Sequence, residues 1–256
     1  MIIYQEVNMD FSAKTLNLVK QPSPCLVVGV LKGKKPRLSE SGAQLDKATA
    51  GQLRSLLSQG DMKGECGATL MLYEPRGIIA RRILLLGLGS RQELSDTSIR
   101  KATAAAVGLL EKCSIKSADF TILDCVRETT LERQARNIVE AAAETGYLYQ
   151  ATKSGRKHKR SLRKVNLAVA RKNLASARIG VTQGSAISNG INYTKDISNL
   201  PGNICTPSYL ARQARALQKS HGLKTTVLDE AQMKKLKMGS LLSVSRGSRE
   251  PAKLIV

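Results

Sequence analysis

The densest cluster of chemically distinctive residues is a basic segment, KSGRKHKRSLRKVNLAVARK, with nine Lys or Arg side chains between positions 153 and 172. Around it, positions 145–195 contain no acidic residue. Cationic side chains in such numbers can neutralise the phosphates of a nucleic acid, and binding of that kind weakens steeply as salt rises. The candidate nucleic-acid contacts are Arg156, Lys157, Lys159 and Arg160.

The same segment is also typical of a solvated loop that joins a helix to the next strand. Single-stranded nucleic acid is usually held by aromatic side chains on which the bases stack. Tyr147 and Tyr149 lie outside the basic segment, and Phe11 and Phe120 are the only phenylalanines in the chain. Aromatic stacking is therefore not predicted, and the loop and nucleic-acid interpretations both stay open.

Residues for catalysis or metal binding are sparse. The sequence contains neither H-E-x-x-H nor G-x-S-x-G, and it has no Walker loop. His158 and His221 have no second histidine or carboxylate at ligand spacing. The adjacent acids Asp229 and Glu230 follow a predicted strand, and we expect them to cap the next helix. We therefore assign no catalytic residue and no metal ligand, and we expect no cofactor on this chain.

The cysteines are odd in number and widely spaced, and no two of them form a C-x-x-C pair. This pattern argues against a disulfide framework and against a zinc ribbon. We predict reduced and mostly buried thiols. The five residues are Cys25, Cys66, Cys113, Cys125 and Cys205.

A glycine-containing stretch, GLGSRQ at positions 87–92, follows a predicted strand and precedes a predicted helix. It begins as a dinucleotide-binding fingerprint would, but Gln92 stands where that fingerprint has its third glycine. The pattern favours a tight strand-to-helix turn. A phosphate site here would need backbone amides directed at the anion.

Alternating strand and helix patterns must position these residues. Short apolar runs predict strands, and longer runs with apolar residues at helical spacing predict helices. The predicted strands are PCLVVGVL, GATLMLYEP, ARRILLLGLGS, ADFTILDC and RKVNLAVA. The predicted helices are SGAQLDKATAGQLRSLLSQG, SDTSIRKATAAAVGLLEKC and TTLERQARNIVEAAAETGYLYQ. This alternation predicts an α/β sandwich with a mixed, largely parallel sheet.

The chain is predicted to have three parts. Residues 1–171 would form the N-terminal α/β domain, with the basic loop at 153–164, and residues 172–198 would form a connecting helix. Residues 199–256 would begin a second α/β domain. Its predicted strands are KTTVLDE, SLLSVSRG and the terminal AKLIV, and its predicted helices are 208–220 and AQMKKLKM.

Composition bounds the class of protein. Of the 256 residues 42% are hydrophobic but only 3% are aromatic, so we expect a globular fold with an aliphatic core. The net charge of +21 attracts polyanions. The sequence has no apolar run long enough for a membrane span and no signal peptide, so we predict a cytoplasmic protein with no membrane partner.

One segment, KDISNLPGNICTPSYLARQARAL, resembles the start of the catalytic domain in the leucyl (cytosol) aminopeptidase family. That family shows the pattern R/K-D-L-x-N-x-P-x-N-x-x-T-P-x-x-L-A. The matching residues are Lys195, Asp196, Asn199, Pro201, Asn203, Thr206, Pro207, Leu210 and Ala211. The stretch from Leu228 to the terminal KLIV is also similar to the family, although Lys237 replaces a customary glycine. The stretches QLDKATAGQLRSLLSQGDMKGECGATLML and RILLLGLGSRQEL are similar to its N-terminal domain.

The resemblance implies a macro-domain-like N-terminal domain followed by the start of an aminopeptidase catalytic domain. For the complete enzyme it implies peptide substrates, two divalent metal ions (manganese or zinc) and a homo-hexamer. The family's metal-ligand blocks resemble G-K-G-x-x-F-D-S-G-G and N-T-D-A-E-G-R, and neither is present here. We therefore expect the N-terminal half of such an enzyme, without peptidase activity on its own.

Two alternatives stay open beside this interpretation. The chain could be a basic nucleic-acid-binding module, because of its charge and its acid-free segment. It could also be the remnant of a split gene, whose folding needs a second half. The coding sequence just beyond Val256 is the observation that best separates these possibilities.

Overall fold

A computed structural model describes residues 9–127, 130–155 and 159–256. The chain divides into two compact units, with the division between Asn192 and Tyr193. We refer to them as the first unit and the second unit, and describe each by itself.

The first unit is built on a seven-stranded mixed sheet with the order β1-β7-β6-β2-β5-β4, and with β3 paired to β2. All neighbours from β1 to β5 in this order are parallel, whereas β4 and β3 pair antiparallel. The predicted α/β class with a mixed, largely parallel sheet is therefore confirmed. The strands are β1 (Asp10–Lys14), β2 (Leu26–Lys32), β3 (Arg37–Leu38), β4 (Thr69–Tyr73), β5 (Arg82–Ser90), β6 (Ser117–Phe120) and β7 (Lys164–Ala168).

Helices cover both faces of this sheet, because alternate side chains of its strands point to opposite faces. Val27 and Leu84 pack with helices α3 and α4 in one aliphatic cluster, whereas Leu26 and Leu85 pack with α1 and α2 in another. Phe120 is the one buried phenylalanine among the described residues, so the expectation of an aliphatic core holds. The helices of this unit are α1 (Glu40–Ala48), α2 (Gln52–Ser58), α3 (Asp96–Lys112), α4 (Leu131–Gly146) and α5 (Leu174–Ser198), the last of which continues past Asn192.

Helix α5 confirms the predicted long helix, and two of its glycines lie against α4. A β-carbon placed on Gly180 would fall against the carbonyl oxygen of Glu132 and 2.8 Å from the Cβ of Ala135. A β-carbon on Gly184 would lie 2.8 Å from the Cβ of Val139. The backbone of α5 therefore approaches α4 more closely than any side chain at these two positions would permit.

The second unit contains three helices and one short antiparallel pair of strands. Its buried apolar side chains are Leu200, Tyr209, Ala211, Met233 and Ala252. Several large apolar side chains are exposed, with Val244 exposed by 88%. The elements are α6 (Pro207–His221), β8 (Val227–Leu228), α7 (Glu230–Lys235), α8 (Gly239–Ser245) and β9 (Leu254–Ile255).

Two predicted strands and one predicted helix differ from the structure. SLLSVSRG is not a strand: its residues form α8, because Leu241, Leu242 and Ser245 share one helical face that is half-buried. ADFTILDC is strand only to Phe120, after which Ile122–Cys125 turn as a 3₁₀ helix. The predicted helix over positions 41–60 is interrupted between α1 and α2, where Ala50 and Gly51 have positive φ.

Candidate functional site

Of the four candidate nucleic-acid contacts, two lie in the part of the chain that the structure describes. Lys159 is exposed, whereas the side chain of Arg160 is only 16% exposed. Arg156 and Lys157 lie outside the described residues. The structure therefore leaves the predicted contact set untested as a group, but it shows what surrounds Arg160.

The guanidinium of Arg160 is bound within the first unit. Its Nη2 donates to the carbonyl oxygens of Thr145 and Tyr147 at 3.3 and 3.1 Å, and its Nη1 lies 3.6 Å from a carboxylate oxygen of Glu111. The same carboxylate accepts the backbone N–H groups of Ser161 and Leu162. Burial lowers the pKa of Arg160, and the negative charge of Glu111 opposes that shift. Arg160 thus fastens the end of the basic loop to α3 and to the end of α4.

The segment that carries the aminopeptidase-like pattern forms a turn and a helix start in the second unit. The backbone N–H groups of Ile204 and Cys205 both donate to the carbonyl of Pro201 at 2.9 Å. The hydroxyl of Thr206 then accepts the N–H of Tyr209, and Pro207 occupies the first turn of α6. Both residues therefore suit the local geometry, Thr as the helix cap and Pro as a first-turn residue without a free N–H.

Helix α7 is capped at both ends. Asp229 and Gln232 form a capping box at its start, which confirms the predicted cap for Asp229. Glu230 is the first residue of the helix, and its carboxylate accepts the backbone N–H of Ala252 instead. At its end the N–H of Met238 donates to the carbonyl of Met233, and the N–H of Lys237 donates to that of Lys234. These two bonds form a Schellman motif. Lys237, with φ of 56°, occupies the left-handed position where the aminopeptidase-like pattern has glycine.

The cysteines are all free, as predicted. Burial raises the pKa of the Cys25 thiol to about 12 and also raises the pKa of Cys125. Both thiols are therefore protonated at neutral pH and unsuited to nucleophilic attack. The prediction of mostly buried thiols holds for these two only, because the other three cysteines are partly exposed.

The described residues do not provide a metal site. Within 9–127, 130–155 and 159–256, no three His, Cys, Asp or Glu side chains lie together in a way that could hold a metal ion. Two catalytic metal ions need several such ligands converging. The donor set of the described residues therefore does not fit the metal pair that the resemblance implies.

The turn at GLGSRQ joins β5 to α3, as predicted. The backbone N–H of Ser90 donates to the carboxylate of Glu93 at 3.1 Å. The hydroxyl of Ser95 accepts the backbone N–H of Ser98 and so caps the start of α3.

Three arginines that sequence patterns did not single out line one crevice next to this turn: Arg91, Arg127 and Arg133. The available sequence signal was that two of them come soon after a predicted strand, and that signal is weak in a chain with 41 basic residues.

No helix in the described parts of the chain combines the length and the apolar character that crossing a bilayer requires.

Comparison with family models matches both units in order. Residues 27–156 match the cytosol aminopeptidase family, N-terminal domain. Residues 192–256 match the cytosol aminopeptidase family, catalytic domain. All the stretches that carry the sequence resemblance thus lie within the two matched ranges.

Curated relatives are similar over nearly the whole chain. A probable cytosol aminopeptidase of Methylobacillus flagellatus is 40% identical over 255 residues, which is 97% of this chain and 50% of the relative. One from Nitrosococcus oceani is 39% identical over 251 residues, with 96% and 50% covered. The chain therefore spans about half the length of the curated relatives it matches.

Solved structures show the same fold. A mutant of tomato leucine aminopeptidase is similar with a TM-score of 0.78 at 22% identity, over 97% of this chain and 50% of that one. The bottromycin maturation enzyme BotP in complex with Mn is similar with a TM-score of 0.68 at 20% identity, over 91% and 44%. At these identities the likeness concerns the fold alone.

Proposed function

The chain belongs to the cytosol aminopeptidase family, and from this we propose that it forms the N-terminal part of an enzyme that removes N-terminal amino acids from peptides. One observation carries the proposal: the N-terminal and catalytic domain models of one peptidase family match this chain in family order. The turn from Pro201 into α6 is compatible with it, because Thr206 and Pro207 of the aminopeptidase-like pattern serve there as helix cap and first-turn residue.

In this proposal the complete enzyme uses two divalent metal ions, manganese or zinc. The manganese named for BotP favours that chemistry by analogy of fold. The described residues do not offer ligands for such ions. We therefore assign no catalytic or metal-binding residue in this sequence, and the ligands would belong to the blocks that the family has and this sequence does not.

A peptidase assay tests the proposal directly. The 256-residue chain, purified and supplied with Mn²⁺, should release no leucine from a leucyl-anilide above background. The same chain fused to the C-terminal half of the Methylobacillus flagellatus relative should release leucine in a metal-dependent way. That C-terminal half alone is the matched control. Leucine release by the unfused chain would contradict the predicted inactivity, and a folded but inactive fusion would contradict the assigned activity.

Three finer points belong to the same proposal. We propose the division into an N-terminal domain at 1–171, a connecting helix at 172–198 and the start of a catalytic domain at 199–256. The compact units divide near the end of that helix, which is compatible with this division. We also propose a homo-hexamer and a cytoplasmic location for the complete enzyme. Light scattering of the active fusion and fractionation of the source cells would test these two points.

The net charge of +21 favours a second candidate function, binding of duplex DNA through the basic loop. Neutralising all four candidate contacts would also remove the structural bonds of Arg160. The sharper variant therefore changes Arg156, Lys157 and Lys159 to Gln and keeps Arg160. DNA affinity should fall, and the dependence of affinity on salt should become less steep, because a protein that neutralises fewer phosphates releases fewer counterions on binding.

A matched control separates a local contact from general attraction. The control variant changes three other exposed basic residues to Gln and so removes the same charge: Lys34, Lys35 and Arg37. If the two triple variants bind DNA equally well, the basic loop has no special role. The remnant interpretation is tested separately by the coding sequence beyond Val256, where a frame encoding the family's ligand blocks would support a split gene.

A further inference from the structure

A crevice of about 790 Å³ opens in the first unit at the carboxyl ends of β5 and β6. Strand β2 lies between these two strands and runs parallel to both. The chain after β2 leads to α1 on one face of the sheet, whereas the chain after β5 leads to α3 on the other. Adjacent parallel strands that diverge in this way create the crevice in which open α/β sheets bind ligands.

The floor of the crevice is buried and uncharged. It includes Ile99, Cys125 and Gln134, each exposed by 5% or less. Since burial raises the pKa of Cys125, this thiol contributes no negative charge at neutral pH. The floor can therefore accept the body of a small molecule, and the charged groups around it determine what that molecule carries.

The walls of the crevice are positively charged. Among the described lining residues, Arg91, Arg127 and Arg133 are accompanied by one acid, Asp96, so these four side chains carry two positive charges in excess. Asp96 already binds Arg133, at 3.3 Å, and accepts a hydrogen bond from the amide of Gln134 at 2.8 Å. Within the described residues, no carboxylate lies at ion-pair distance from Arg91 or Arg127. Two guanidinium groups are thus placed to bind an anion.

Helix α4 adds to this positive field. It begins at Leu131 next to the crevice, and Thr130 and Arg133 are among the lining residues. The hydroxyl of Thr130 donates to the carbonyl of Arg127 at 3.0 Å, and no side-chain hydrogen bond caps the first-turn N–H groups of the helix. Those N–H groups carry the positive end of the helix dipole, which favours an anion nearby.

We propose that this crevice binds a small molecule that carries a phosphate or diphosphate group. Arg91 and Arg127 bind the phosphate oxygens, since the planar guanidinium matches their geometry with paired N–H donors. The rest of the molecule lies over the buried floor. Every residue used lies between positions 91 and 134, so the site does not depend on whether the complete enzyme is a peptidase.

Calorimetric titration of the full 256-residue chain with inorganic pyrophosphate, at constant ionic strength, tests the site. The parent chain should bind one pyrophosphate per molecule. The double variant Arg91→Gln/Arg127→Gln should bind at least tenfold more weakly, and each single variant at least threefold. Because both side chains are exposed, the variants should keep the circular dichroism spectrum of the parent.

A second double variant controls for the large net charge of the chain. Arg76 and Arg81 are exposed and lie at the opposite end of β5, so Arg76→Gln/Arg81→Gln removes the same charge far from the crevice. It should change the affinity less than twofold. The proposal is overturned if the parent does not bind pyrophosphate, or if both double variants weaken binding equally, since the attraction would then belong to the whole surface.

Discussion

At the scale of single residues, Arg160 shows how a basic side chain can belong to the fold rather than to a binding surface. Its guanidinium bonds two carbonyl groups and faces Glu111. We predict that Arg160→Met lowers the free energy of unfolding by about 1 to 3 kcal/mol, because it leaves these polar groups without their partner. Urea unfolding followed by circular dichroism measures the change.

Lys159 provides the matched control for this prediction. It is the neighbouring residue, it has the same charge, and it is exposed. Lys159→Met should change the free energy of unfolding by less than about 0.5 kcal/mol, as is usual for surface substitutions. Equal losses in the two variants would show that the bonds of Arg160 do not stabilise the first unit.

A second residue, Lys237, occupies a backbone conformation that suits glycine. In the left-handed region the Cβ of an L-residue crowds the backbone, which costs roughly 1–2 kcal/mol, whereas glycine pays only a smaller entropy cost. We predict that Lys237→Gly raises the free energy of unfolding of the full 256-residue chain by about 0.5 to 1 kcal/mol. Thermal unfolding measures it. Lys235→Gly, inside α7, is the control and should be destabilising, so stabilisation by both would contradict the argument.

At the scale of elements, the contact between α4 and α5 depends on glycine. Gly180→Ala should destabilise the chain by about 1 to 3 kcal/mol, because the new methyl group meets the backbone of α4 at Glu132 and the two helices must separate. Helix propensity alone predicts the opposite sign. Denaturant unfolding of the variant decides which effect dominates.

Gly108 in α3 is the control for the helical glycine. Among the described residues, and apart from its chain neighbours and the nearby backbone of α3 itself, no heavy atom lies within 4 Å of a β-carbon built there. Gly108→Ala should therefore stabilise the chain by up to about 1 kcal/mol, the usual propensity difference in a helix interior. If Gly180→Ala stabilised the chain equally, the conclusion that α5 approaches α4 too closely for a side chain at this position would be contradicted.

The elements also show which features sequence patterns can predict. Apolar runs located β2, β5 and β7, and the cap at Asp229 located α7, because these signals lie within a few residues of each other. Strand β1 was missed because DFSAK is short and carries few apolar residues, and its pairing with β7 is more than 150 positions distant in sequence. Local patterns carry no information about such a partner.

At the scale of the whole molecule, the sequence alone was enough to identify the family, whereas the crevice was found only in the structure. The family was recognisable from contiguous stretches of sequence, of which the one around Thr206 and Pro207 forms a local turn and helix cap. The crevice was not recognisable, because Arg91 and Arg127 come together only through the order of strands in the sheet. A net charge of +21 conceals such positions among many other basic residues.

The two compact units predict different behaviour for the two parts of the chain. Both large apolar clusters consist of residues before Asn192, so a chain ended at Ser198 retains them and the whole of α5. We predict that residues 1–198 unfold cooperatively, with a Tm within about 5 °C of the full chain, a shift that corresponds to roughly 1 to 2 kcal/mol.

Residues 193–256 bury only five apolar side chains and should show no cooperative transition alone. Differential scanning calorimetry of the two fragments and the full chain measures this. Loss of the transition in 1–198 would mean that the first unit requires the second in order to fold.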